Sequence, residues 1–182
     1  MLQCVVAFED SGRISGKWGE EAVDYYGEQN IDQIEFKTFV AENAEWFRGH
    51  FLETEETLQE AEVLLGVRLS TDLTWLLTEW GYGDAVGIGN LRESVSWTLR
   101  VRTSWQMPVQ YVLLHDWQDA GIVLMDTKNV NIEGEPRVLY VTHPPKEDNP
   151  SDIIRSYATF ADWCVFRLEE ERDFRTLPDA AG

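Results

Sequence analysis

One short segment of the chain combines side chains that could exchange protons. His115, Asp116 and Asp119 lie within one stretch of five residues, and a histidine beside carboxylates is a common arrangement for general acid–base catalysis. Asp119 and Gly121 are also residues that favour turns, so the same group fits a polar turn between two strands. We favour the turn and keep a hydrolase that uses His115 and Asp116 as an alternative hypothesis.

Other patterns that carry catalysis or a cofactor are missing from the sequence. It contains no P-loop, nucleophile elbow, HExxH motif or CxxC pair. The glycines between Gly81 and Gly89 superficially suggest a phosphate-binding loop, but they follow a predicted helix, and no helix or lysine comes directly after them. The segment 126–130 lacks the acidic spacing of a calcium loop. We therefore predict a protein without enzymatic activity, cofactor or metal.

The charge of the chain narrows the choice of partner. Of its 182 residues, 33 are Asp or Glu and 15 are Lys or Arg, which gives a formal net charge of −18. Nucleic acids and anionic membrane surfaces are bound through clustered Lys and Arg, so we expect neither as a partner. A negative field instead attracts basic molecules. The alternative is that the acidic charge only keeps the protein in solution.

The beginning of the sequence predicts a cytoplasmic protein. The apolar run in MLQCVVAFED is short and has no basic residues before it, unlike a signal peptide. No stretch approaches the ~20 apolar residues that a membrane-spanning helix needs. We expect Cys4 and Cys164 to be reduced, buried thiols. The length and the 43% hydrophobic content indicate one folded domain over residues 1–182.

The first half of the hydrophobic pattern predicts mostly helices. Short strands at 2–8 and 13–18 precede a helix within 31–50. A helical hairpin follows from residue 57 to residue 81. Its first helix is predicted to start with a Thr57–Glu60 capping box and to stop at Gly66; its second is predicted to start at Ser70 and to stop at Gly81.

The second half of the pattern predicts strands and one more helix. Alternating residues predict strands at 94–103, 109–114, 122–126 and 138–142, with connections short enough for an antiparallel meander. Asn149–Asp152 is expected to open a last helix that includes Ile153, Ile154 and Tyr157. The predicted fold class is α+β: a helical hairpin, an antiparallel sheet meander with strands of mixed length, and a C-terminal helix packed on one sheet face.

Five sequence segments occur in an order that matches one known superfamily. They are Ala61–Leu69, Leu73–Gly81, Val112–Asp126, Arg137–His143 and Tyr157–Trp163. Together they resemble the SUKH superfamily, the Smi/Knr-type domain, although Ser70 stands where that family usually has proline. The resemblance implies a single SUKH-like domain with a recognisable core at 54–170, an acidic N-terminal extension at 1–53 and a tail at 174–182.

The resemblance implies binding rather than a reaction. Most bacterial SUKH members look like immunity proteins, which bind and neutralise a cognate toxin of a polymorphic toxin system. We therefore expect the partner to be a protein toxin that is basic and acts in the cytosol, such as a nuclease. The alternative is a regulatory or scaffold module with a non-toxin partner, as in some other members of the family.

Charge and aromatic content predict which residues bind that partner. Tryptophan surrounded by carboxylates is typical of binding hot spots. Residues 1–66 carry 15 acidic and 4 basic side chains, a net charge of −11, and two interpretations of this charge stay open: the acidic N-terminal extension binds the toxin, or it only keeps the scaffold in solution. The predicted partner-binding residues are Asp84, Asp116, Trp117, Asp119, Glu133 and Glu135 in the sheet loops, with Glu42 and Glu45 on the N-terminal helix.

Overall fold

The computed structural model describes residues 7–8, 14–15, 31–83, 90–147 and 152–176. Strands β1 (Ala7–Phe8) and β2 (Ile14–Ser15) form an antiparallel pair, which agrees with the two strands predicted there. The predictions for Cys4, Asp84 and the end of the tail lie outside the described residues. So does the start of the last predicted helix at 149–151.

Two helices fill the predicted helical segment 31–50. Helix α1 spans Gln33–Glu42, and the side chain of its N-cap, Asp32, accepts hydrogen bonds from the second and third residues of the helix. The short helix α2 spans Ala44–Phe47. The break between them is at Asn43, whose side-chain amide donates to the Phe39 carbonyl at 2.7 Å. The prediction of a helix here is confirmed, with one interruption.

The predicted helical hairpin is present, but its first helix starts one turn earlier. Helix α3 spans Glu55–Leu65 and helix α4 spans Thr71–Glu79. The capping box predicted at Thr57–Glu60 is wrong, because the box starts at the N-cap Thr54, and Thr57, the third residue of the helix, is its last member. Gly66 ends α3 with a φ of 68°, and Ser70 caps α4, both as predicted.

The strand predicted at 94–103 is wrong, because this segment is helix α5 (Leu91–Trp105). The buried face of α5 includes the small polar residues Ser94 and Thr98, which hide the helical period. Both side chains bond to the backbone of Leu113. The Ser94 hydroxyl donates to the Leu113 carbonyl, and the Leu113 amide donates to the Thr98 hydroxyl at 2.9 Å. Helix α5 therefore covers a sheet edge that would otherwise be open to pairing.

The sheet is an antiparallel meander of four strands in the order β3-β4-β5-β6. The first three confirm predicted strands with shifted ends, and the fourth replaces the predicted start of the last helix. The four strands are β3 (Tyr111–Asp116), β4 (Ile122–Val130), β5 (Pro136–Val141) and β6 (Ile153–Tyr157).

The last helix, α6, begins at Phe160 and runs to Thr176, later than predicted. Its start signal is Thr159, whose hydroxyl accepts from the Asp162 amide and donates to the Asp162 carboxylate. The β-branched pair Ile153 and Ile154 lies in β6 instead, where it extends the sheet.

The sheet separates two apolar clusters. On one face, Val112, Val123 and Val138 pack with side chains of α1, α3, α4 and α6, which include the fully buried Trp163. On the other face, alternate residues of the same strands pack with Trp97 and other side chains. These contacts confirm the α+β class and the C-terminal helix on one sheet face.

Arg102 of α5 connects three elements. Its guanidinium donates to the carbonyls of Leu65 at 2.5 Å and Tyr111 at 3.1 Å, and also to that of Val109. Burial lowers the pKa of this side chain. In a strand at 94–103, Arg102 would alternate onto the face with Ser94 and Thr98 and point to solvent. In the structure its guanidinium instead ties the end of α3 to the start of the sheet.

Candidate functional site

An acidic cleft of about 430 Å³ opens where four parts of the chain meet. The first turns of α1 and α4 form two of its sides. The turn between β4 and β5 and the residue before α6 complete it. The lining residues are Ile31, Asp32, Gln33, Ile34, Thr71, Asp72, Glu133, Glu135 and Thr159.

Asp72 lies in the wall of the cleft and is almost fully buried, with 2% of its surface exposed. Its Oδ1 atom has no hydrogen-bond partner among the described residues. Burial, followed by the negative charge of Glu135, raises the pKa of this carboxyl from 3.8 to about 6. A hydrogen bond from the Gln33 side chain opposes this shift in the pKa without cancelling it. Asp72 is therefore a buried carboxylate whose surroundings disfavour its charge and leave one of its oxygens without a hydrogen bond from the described residues.

Glu135 is the second buried carboxylate of the cleft, with 7% of its surface exposed. Its Oε1 atom accepts a hydrogen bond from the Thr71 amide at 3.0 Å, which joins the β4–β5 turn to the start of α4. Its Oε2 atom has no hydrogen-bond partner within the described part of the chain. In the ranges that the structure describes, each of the two buried acids thus keeps one oxygen without a donor, which is costly for a buried group.

The β4–β5 turn positions Glu133 and Glu135 through a single asparagine. The Asn131 side chain accepts hydrogen bonds from the Glu133 amide at 3.0 Å and the Glu135 amide at 2.9 Å. Gly134, with a φ of 86°, supplies the backbone conformation that the turn requires. The turn therefore holds Glu135 in the wall of the cleft and leaves Glu133 exposed beside it.

The rim of the cleft carries exposed apolar side chains next to its acids. Ile34, which lines the cleft, is 76% exposed, and Ile132, directly before Glu133, is 97% exposed. Single exposed apolar side chains are common on protein surfaces. Ile34 is of interest because it lines the cleft beside the buried carboxylates, where it offers an apolar contact to an incoming group.

The arrangement is suited to binding a cation. Within the described ranges, no three His, Cys, Asp or Glu side chains are placed to hold a metal ion. The positive charge of Lys37 lowers the pKa of Asp72. The Nζ atom of Lys37 lies over the Trp75 ring, 5.3 Å from the ring centre. The cleft can therefore bind a positive group from outside, and that group would donate hydrogen bonds to both carboxylates.

Two of the predicted binding residues, Glu133 and Glu135, meet in this cleft. Asp72, the most perturbed carboxylate there, was missed by sequence reasoning. An Asp in the first turn after a Ser cap usually interacts with the helix dipole in solvent. The only signal in the sequence was that Asp72 follows the Ser70 cap closely, on a helix that packs into the core. This position does not show whether the Asp72 side chain is buried.

Asp116 and Trp117 lie in a different turn, and neither lines the cleft. The Asp116 carboxylate accepts a hydrogen bond from the Gln118 amide at 2.8 Å, which confirms a polar turn. Trp117 is half-buried, with its ring 5.6 Å from that of Trp163 and 5.2 Å from that of Tyr140. The backbone of Asp119 lies in the single helical turn at 118–120, and its side chain is outside the description.

His115 and Asp116, the residues of the hydrolase hypothesis, lie at the end of β3. Burial, followed by the charge of Arg167, lowers the pKa of His115, and its Nδ1 atom has no hydrogen-bond partner among the described residues. Its ring packs 5.4 Å from that of Trp117, while the carboxylate of Asp116 accepts from the turn backbone. His115 is also absent from the lining of the acidic cleft.

Glu42 and Glu45 are both exposed, at the end of α1 and in α2. The cleft lies at the opposite end of α1, so these two acids are not brought together with Glu133 and Glu135. They form a separate acidic surface.

In the part of the chain that the structure describes, no helix is both long and apolar enough to cross a bilayer. The chain matches no protein-family model, and no curated protein matches it significantly in sequence.

Proposed function

We propose that the protein is a SUKH-like immunity protein, which binds and neutralises a cognate basic toxin in the cytoplasm. It acts by stoichiometric binding, without catalysis and without a cofactor. The observation that carries this proposal is the acidic cleft, in which the buried carboxylates of Asp72 and Glu135 each keep one oxygen without a donor from the described residues. The α+β order of elements is consistent with the SUKH resemblance.

The charge of the cleft and of the chain supports a basic partner. A net charge of −18 steers positive surfaces towards the protein from a distance. At contact, the cleft offers buried carboxylates that lack donors, and a lysine or arginine would supply them. Toxins that cleave nucleic acids need positive groups to hold phosphates. An inhibitor that binds these groups would block the substrate from the same surface.

Co-expression with the products of neighbouring genes tests this function. We expect one neighbour to be toxic alone and harmless with this protein, and the two proteins to form a stable complex. Loss of one partner of a buried charged pair commonly costs 2–5 kcal/mol. The double variant Asp72→Asn/Glu135→Gln should therefore bind the toxin about 100-fold more weakly, and affinity should fall as salt rises.

The matched control is Glu60→Gln/Glu79→Gln, which removes two charges from exposed positions that do not line the cleft. It should bind within about 3-fold of the unmodified protein, since exposed charges outside the contact contribute little to affinity. If no neighbour is toxic and rescued, the immunity function is wrong, and a regulatory or scaffold role takes its place. If both double variants lose affinity equally, binding depends on overall charge and not on the cleft.

A further inference from the structure

We infer that the cleft receives the guanidinium group of one arginine side chain from a protein partner, held between Asp72 and Glu135. The inference refines the proposed function, because it rests on the cleft being the docking surface for a basic partner. It adds the chemical group that the cleft recognises and the two oxygen atoms that recognise it.

The two acceptor atoms come from different elements that are fixed to each other. Asp72 is the second residue of α4, and the Thr71 amide beside it donates to Glu135 at 3.0 Å. The two side chains are close enough that the charge of Glu135 acts on Asp72. Among the described residues, Oδ1 of Asp72 and Oε2 of Glu135 lack donors, and both atoms are buried with almost no exposed surface. The two carboxylates therefore lie on adjacent walls of the cleft, and an incoming donor reaches these atoms by displacing a side chain that covers them.

A guanidinium group matches two such acceptors better than other cations do. It is planar, carries five N–H donors and can give parallel hydrogen bonds to two acceptors at once. An ammonium group is a compact point charge that keeps its hydration more strongly. A bare divalent cation would need more carboxylate ligands than the described residues bring together.

The rest of the cleft suits an arginine side chain. Gln33 bonds to Asp72 with a neutral amide, which a charged donor would displace. The methylene groups of the incoming side chain would pack on the exposed Ile34, while the charged end reaches the carboxylates. The mouth also carries Asp32 and Glu133, which add negative charge along the entrance.

Titration with methylguanidinium tests the inference on the isolated protein. Backbone amide NMR shifts should saturate with a Kd of about 1–10 mM, and the largest shifts should come from the amides of Gln33, Thr71 and Glu135. N-methylurea, a neutral analogue of the same shape, should cause no saturating shift. The variants Asp72→Asn and Glu135→Gln should each raise the Kd at least 10-fold, and Glu60→Gln, at an exposed position of α3 that does not line the cleft, should leave it unchanged.

Any of four results would overturn the inference. They are linear shifts spread over the acidic surface, an equal effect of N-methylurea, equal affinity for methylammonium, and an unchanged Kd for methylguanidinium in both cleft variants. Because no toxin is present, this experiment does not depend on the immunity function. If the titration fails but a neighbouring toxin is neutralised in co-expression, the proposed function stands and the toxin docks through another group. If the titration succeeds but no neighbour is toxic, the guanidinium site stands without the immunity function.

Discussion

The Asp72→Asn variant is expected to be more stable than the unmodified protein at neutral pH, although it loses affinity for methylguanidinium and for a basic partner. A residue that serves only the fold would behave in the opposite way when replaced. Burial and the charge of Glu135 disfavour the Asp72 carboxylate, whose pKa is raised from 3.8 to about 6. The asparagine amide removes this charge and retains nearly the same shape. Residues kept at a cost in stability are common at functional sites.

The sign of the effect follows from proton linkage. With a pKa of 3.8 unfolded and about 6 folded, Asp72 holds a proton in the folded state that the unfolded chain has already released. Its contribution to stability is therefore present at low pH and is lost as the pH rises from about 4 to about 6. The charged groups near Asp72 are Asp32 and Lys37 at α1, Glu133 and Glu135 in the turn, and Asp162 in α6.

Urea unfolding at two pH values measures this effect. At pH 7.5 the variant should gain about 1–2 kcal/mol, less than the full linkage value because an acid in a first helical turn is itself stabilised by the helix dipole. At pH 5 the gain should be roughly half as large, since Asp72 is then mostly protonated in the folded state. Glu45→Gln, an exposed carboxyl, serves as the control and should change stability by less than about 0.5 kcal/mol at either pH. A variant that is less stable at pH 7.5 would show that Asp72 is a structural residue.

The Trp117→Ala variant is expected to lower the free energy of unfolding by about 3 kcal/mol. The Trp117 ring packs on those of Trp163, Tyr140 and His115, and the Arg167 guanidinium lies 5.2 Å from its centre. Removing it takes away these aromatic and cation–π contacts and leaves a gap beside the buried Trp163. Chemical denaturation measures the loss.

The same variant separates the two surfaces that the sequence suggested for binding. Its affinity for methylguanidinium should stay within about 2-fold of that of the unmodified protein, because Trp117 does not line the cleft. Trp105→Ala is the matched control for stability: Trp105 is half-exposed at the end of α5, so its loss should cost about 1 kcal/mol or less. A small stability loss for Trp117→Ala, together with weaker toxin binding, would assign Trp117 to the partner interface instead.

The sequence predicts the order of elements well where local signals act alone. Gly66 and Ser70 mark the end of α3 and the start of α4, because a left-handed glycine and a serine cap work within one turn of the chain. Strands β3 to β5 also follow from their apolar residues.

The sequence misleads where a distant contact decides the structure. Ser94 and Thr98 look like the wet face of a strand, but they are the buried face of α5 because they bond to the backbone of Leu113. The candidate site shows the same effect. Glu135 is predicted as a loop acid, yet its burial comes from the start of α4, and its bond to Thr71 spans 64 positions in the chain. No local pattern contains that contact.

The central claim is that Asp72 is a carboxylate kept ready for an incoming positive group, and its own titration tests this most directly. The ¹³C resonance of the Asp72 carboxyl should titrate with a pKa of about 6 in the isolated protein. With saturating methylguanidinium, this pKa should fall by at least about 1, since an adjacent positive charge favours the ionised form. A carboxyl that titrates near 4 in the isolated protein, or a pKa that methylguanidinium does not lower, would contradict the account.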